Sequence, residues 1–185
     1  MTATLRRLPL FLPVVLAVVL VAGCGGSSSN KMDPGEWANS ICGSVDTWAT
    51  SVRSAASSLQ GGNVSKSALQ STANDVKDAT NTLADDLKGL DKPDIQAADK
   101  AKQQLDTLSS NYKDEVQSMQ NDVQNASGAS GTLTAVSKVS QTLVTMGSQL
   151  QSTFGQLQKL DAKGELDKAF KNASNCKKLQ KQRGA

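Results

Sequence analysis

Histidine is absent from the 185 residues, and aromatic side chains make up only 3%. Without histidine there is no imidazole for acid–base work, no Ser-His-Asp or Cys-His arrangement, and no basis for most transition-metal sites. The formal charge of +3 is too small to mark a nucleic-acid binder. Two of those charges, Arg6 and Arg7, lie in a leader, and the remainder carries 18 basic and 17 acidic residues. Long apolar runs are missing except for Leu8–Ala22. That run is shorter than the roughly 18 residues that suggest a membrane-spanning helix. Pro9 and Pro13 also interrupt it.

What is present at the start is the layout of an export signal: Arg6 and Arg7, the apolar run, then small residues over 1–23. The segment closes Leu20-Val21-Ala22-Gly23-Cys24, which resembles the lipobox of bacterial lipoproteins. The resemblance implies cleavage before Cys24 and a diacylglycerol thioether on its sulfur. The other reading is an ordinary secreted protein in which Cys24 is incidental. Residues 24–32 begin Cys24-Gly25-Gly26-Ser27-Ser28-Ser29-Asn30, a polar stretch of high backbone freedom suited to a tether. A domain over 33–185 follows.

An exported chain works where disulfides persist. With Cys24 lipidated, Cys42 and Cys176 remain and permit a single intramolecular bridge. It would close a loop of about 134 residues, for which chain entropy gives about 5 kcal/mol as an upper figure. The alternative is two buried free thiols that act as small apolar groups. Two cysteines without histidine do not make a zinc site.

The domain is expected to be all-α. Asp33-Pro34-Gly35-Glu36 offers a cap, a first-turn proline and an acid in the first turn. An apolar stripe then runs Trp37, Ile41, Val45, Trp48, Val52, Ala55, Leu59, and Gly61-Gly62 should stop it. A second helix after Ser65 carries Leu69, Ala73, Val76, Thr80, Leu83, Leu87 and Leu90. Asp91-Lys92-Pro93-Asp94 is a turn, since proline disfavours helix in the residue before it. The third stripe runs from Ile95 to Val123 and should stop near Ser127–Gly131. The fourth reads Leu133, Val136, Val139, Leu143, Met146, Leu150, Phe154, Leu157, Leu160. After Asp161–Gly164 a single short helix carries Leu166 to Leu179.

Four long helices of about 26–32 residues with near-heptad spacing predict an up-down-up-down four-helix bundle with a short C-terminal helix. In that topology the first helix begins where the fourth ends, which agrees with a Cys42–Cys176 staple. The competing arrangement is an extended coiled coil that completes its core by dimerising.

No motif carries catalysis. Gly61-Gly62-Asn63-Val64-Ser65-Lys66-Ser67 lacks the glycine spacing and preceding strand of a phosphate loop. Ser-x-x-Lys occurs at Ser28, Ser110 and Ser174 without the companion motifs of penicillin-recognising enzymes. Carboxylate pairs such as Asp75/Asp78, Asp85/Asp86 and Asp114/Glu115 lie off the apolar stripes and read as solvated surface. No cofactor and no metal are expected.

Two features remain as candidate sites. Trp37 and Trp48 lie about three helical turns apart, on nearly one face. They either fill core or form the wall of a pocket between helices. From Lys168 to Ala185 the chain has six basic residues and no acid, including Lys177, Lys178, Lys181 and Arg183. A bridge to Cys42 would set this segment beside the start of the first helix, close to the lipid anchor. It could then contact anionic headgroups, or simply be a solvated helix end whose cations suit a C-terminus.

Taken together, the lipobox, the Gly/Ser tether, Trp-x-x-x-Ile-Cys at Trp37–Cys42 and Gly-Glu-Leu-Asp-Lys-Ala-Phe…Cys at Gly164–Cys176 make the chain similar to small lipoproteins of actinobacteria. The resemblance implies export, a lipid anchor on the outer face of the cell membrane and a helical domain, with no defined activity. The expected function is a non-enzymatic interaction or spacer module with an envelope protein as partner. The alternative is a carrier of a small ligand or lipid between helices near Trp37 and Trp48.

Overall fold

The computed structural model describes residues 31–57, 59 and 65–183. The expected export signal, Cys24, most of the expected tether and the expected stop at Gly61-Gly62 lie outside the described residues, as does the side chain of Arg183.

Four long helices follow one another: α1 (Pro34–Ser57), α2 (Lys66–Gly89), α3 (Ala98–Gln124) and α4 (Gly128–Lys159). Two short ones, α5 (Glu165–Asn172) and α6 (Ser174–Arg183), complete the chain. The caps are those the residue types dictate. Asp33 Oδ1 accepts from the backbone N–H of Gly35 at 2.8 Å and of Glu36 at 3.1 Å. Ser65 Oγ accepts from Ala68 N–H at 3.1 Å. Each satisfies first-turn donors that have no partner inside the helix.

Side-chain hydrogen bonds between neighbours fix the directions. Ser44 pairs with Asp86, Trp48 with Thr80, and Thr72 with the Ala55 carbonyl, so α1 and α2 are antiparallel. Lys102 donates to the Lys88 carbonyl, Lys113 pairs with Asp85, and Lys66 donates to the Gln124 carbonyl, so α2 and α3 are antiparallel too. Lys138–Asp122 and Tyr112 to the Met146 carbonyl, the latter at 2.6 Å, reverse α4 against α3. The expected helical bundle is therefore present, with successive long helices antiparallel. Cys42 and Cys176 form a disulfide, with Cα atoms 5.0 Å apart.

The core follows the apolar stripes closely in α2 and α3. Every stripe residue from Leu69 to Leu87 and from Ile95 to Val123 is buried. Four details differ from the sequence expectation. First, Lys31–Met32, assigned to the tether, pair in parallel with Lys92–Pro93 as two-residue strands β1 and β2. Asp94 N–H donates to the Met32 carbonyl at 2.8 Å, and Lys31 pairs with Asp94. Second, α4 begins at Gly128, inside the expected break, and buries Thr132 and Ala135. Leu133 is left 67% exposed. Leucine at that position fits the spacing, yet the turn chosen by Thr132, Ala135 and Val139 points it outward.

Third, the C-terminal helix is broken at Ala173, which is extended at φ −57° and ψ 132°. The break is a tertiary effect. Asn39 of α1 presents Oδ1 to Asn175 N–H and Ser174 Oγ, both at 3.0 Å, and so caps α6 from another helix. Gly43 permits this approach, because a Cβ there would sit 2.9 Å from Asn175 Nδ2. Fourth, the bundle is not closed uniformly. The best-packed pairs are α2/α3, α1/α2 and α3/α4. Beside α1 the fourth position is taken by α5 and α6, and α5 also packs on α4. The seam between α1 and α4 stays partly open.

The turn into α5 is held by Asp161. Its carboxylate accepts backbone N–H bonds from Lys163, Glu165 and Leu166, and Gly164 supplies the left-handed φ of 68°. Burial alone would raise the Asp161 pKa. The three backbone donors outweigh it and hold the carboxyl below its ordinary value.

Candidate functional site

The α1–α4 seam opens into a cleft of about 440 Å³, within the range of small-molecule sites. Its α1 wall extends from Cys42 through Val45, Trp48 and Ala49 to Arg53. Its α4 wall extends from Gly147 to Gln158. Each wall is about three turns of helix long. Leu150 and Phe154 supply the apolar surface of α4, and Phe170 of α5 closes one end. The disulfide lies at the same end, and Leu179 of α6 also lines the cleft.

Two glycines belong to the α4 wall. Gly147 and Gly155 sit inside a helix, where glycine costs about 0.5–1 kcal/mol relative to alanine. A Cβ built at either position meets nothing within 4 Å. Crowding by neighbours therefore does not explain them. Both line the cleft.

The two tryptophans separate. Trp48 is 7% exposed and lines the cleft. Its Nε1 donates to Thr80 Oγ1 at 3.0 Å, and its ring stacks, tilted by 33°, on Tyr112 at 5.6 Å. The indole's polar edge is thus satisfied toward α2, and burial of Tyr112 in turn pushes its phenol pKa up. Trp37 is fully buried and meets Phe170 edge-on at 6.2 Å. It is core and lines no part of this cleft. Of the two readings, core filling holds for Trp37, while Trp48 lines the cleft without it; the second aromatic surface comes from Phe154 and Phe170, whose rings are 5.4 Å apart.

The rim is polar and nearly uncharged. Gln151, Gln158, Gln180 and Gln182 supply amides, and Arg53 is the one charged lining residue among the described residues. Asp46, also on α1, is neutralised by Lys178 of α6 at 2.6 Å. The Lys178 ammonium, helped by Gln182 and the field of Arg53, holds the Asp46 carboxyl below its ordinary value.

These contacts also place the basic tail. Asn175 meets Asn39, Cys176 meets Cys42 and Lys178 meets Asp46, so α6 runs along α1 in the same direction. Only its first turn lies near the start of α1. Lys181 is carried further up the flank of α1, exposed like Lys177. The sequence placed the whole tail beside the first turn of α1, because a disulfide fixes one point and leaves the direction of the helix open.

Among the described residues no cluster of three or more His, Cys, Asp or Glu could hold a metal, and no helix is long and apolar enough to cross a membrane. Sequence reasoning missed Arg53, Gly147, Gly155, Phe154 and Phe170 as cleft residues. The available signal was two glycines about two helical turns apart in the interior of a helical stretch that also carries Gln149, Gln151, Gln156 and Gln158. No family model, curated protein or solved structure matches this chain.

Proposed function

We propose that this is a lipid-anchored protein of the cell envelope, facing outside the cytoplasm, whose helical domain binds a small apolar ligand between α1 and α4. The cleft beside Trp48 carries the reading. It has an apolar interior, an amide rim and two helix-interior glycines in its lining. It moves the ligand-carrier reading ahead of the plain spacer or partner-binding module, for which surface composition is the sole support. The anchor rests on the export-signal layout and the lipobox ending at Cys24. Binding of this kind needs no catalytic group.

The cleft is tested with N-phenylnaphthylamine, a neutral apolar fluorophore, on the purified domain. Saturable binding should raise the emission of the fluorophore and quench the tryptophans, Trp48 of the cleft wall among them. Gly155→Leu should fill the space and abolish binding with the helical circular dichroism unchanged. Absence of saturable binding to the wild-type domain, or full binding by Gly155→Leu, would sink the reading. The anchor is tested separately, by labelling cells with a fatty-acid analogue. Wild type should take the label and Cys24→Ala should not.

A further inference from the structure

We infer that the ligand of this cleft is a single-chain amphiphile with an anionic head, its chain laid along α1 and its head held at Arg53. The inference rests on the cleft reading and adds the chemistry and direction of the ligand.

The direction comes from how the two ends differ. At one end Phe170 and the disulfide are buried, so that end is walled and apolar. At the other, Arg53 is exposed. A ligand that matches both ends has an apolar tail and a polar head. The shape adds to this. About 440 Å³ lies in the lower part of the range for small-molecule sites, and it is drawn out along the full length of both walls. An elongated single chain uses that form, whereas a lipid with several chains does not fit inside it.

The sign of the head follows from the charges around the mouth. Arg53 takes part in no ion pair among the described residues. Asp46, the acid whose field it shares, is already paired with Lys178. Arg53 thus keeps a positive charge that no carboxylate lining the cleft cancels. A guanidinium can donate two parallel N–H bonds to a carboxylate or phosphate, and the glutamine amides can add more. A neutral head would leave Arg53 unused, and a cationic head would be repelled.

Dodecanoate, dodecyl phosphate, dodecanol and dodecyltrimethylammonium, each kept below its micelle concentration, are competed against N-phenylnaphthylamine on the wild-type domain. Either anion, or both, should bind about fivefold more tightly than dodecanol, the scale of one exposed charge pair, and the cation more weakly than dodecanol. Whichever anion gains more identifies the head as carboxylate or phosphate. Arg53→Gln, at an exposed position, should bring the anions to the level of dodecanol, and added salt should narrow the wild-type gap. Equal binding of anions and dodecanol by the wild type would overturn the anionic head and leave the cleft standing. So would an anion preference that survives in Arg53→Gln. Failure of all four compounds to displace the fluorophore would overturn the chain along α1, while the fluorophore's own binding would still support the cleft. Failure of the fluorophore and all four compounds alike would overturn the cleft itself.

Discussion

Replacing Gly147 and Gly155 by alanine should stabilise the protein. Both lie in the interior of α4, and neither has a positive φ. Glycine there costs about 0.8–1 kcal/mol relative to alanine, through the backbone freedom it loses on folding. The usual offset is a clash of the new methyl, and at these positions a Cβ meets nothing within 4 Å. The double substitution should therefore gain about 1.5–2 kcal/mol. In a domain of this size that raises Tm by about 3–8 °C. Gly43→Ala provides the contrast. Its Cβ would lie 2.9 Å from Asn175 Nδ2, which donates to the Asn39 carbonyl at 3.1 Å. The amide must withdraw and lose a bond worth about 0.5–1.5 kcal/mol, which cancels the gain in helix propensity. Urea denaturation of the three variants reads this directly, as a shift in midpoint at constant slope. Destabilisation by Gly147→Ala or Gly155→Ala would refute the reasoning, because it would mean that the cleft walls are in contact.

Two further perturbations test the frame around the cleft. Cys42→Ser with Cys176→Ser opens a loop of sequence separation 134 and should cost up to about 5 kcal/mol by chain entropy, read as a lower urea midpoint; an unchanged midpoint would show that the bridge constrains nothing. The Asp161 carboxyl has a native pKa held below its ordinary 3.8 by backbone donors, so its contribution is complete above the unfolded value and falls away as pH drops through 3.8 toward the lower native value. Asp161→Asn should lower the urea midpoint at pH 7 and flatten its fall between about pH 5 and pH 3; parallel pH curves for the two proteins would remove Asp161 from the account.

The sequence by itself determined the helices and most of the core. Periodic apolar residues need a buried face, and α2 and α3 each have packed neighbours on both sides, so their stripes map onto the core residue by residue. Asp33 and Ser65 announced helix starts because capping is local. The disulfide was legible from the export-signal layout read in residues 1–23 and the count of cysteines. What the tertiary structure alone decided was the side of the bundle where closure fails. Periodicity says that α4 is amphipathic, but not which neighbour covers each half of its stripe. Val139, Met146 and Leu157 are buried, while Val136, Leu143 and Phe154 remain partly buried. The break at Ala173 depends on Asn39, 136 residues away from the Asn175 that it caps, and no local pattern encodes such a partner. The cleft is likewise a property of what does not meet. Gly147, Gly155 and Arg53 form one site only because α5 and α6 occupy the flank of α1 that a fully closed bundle would give to α4.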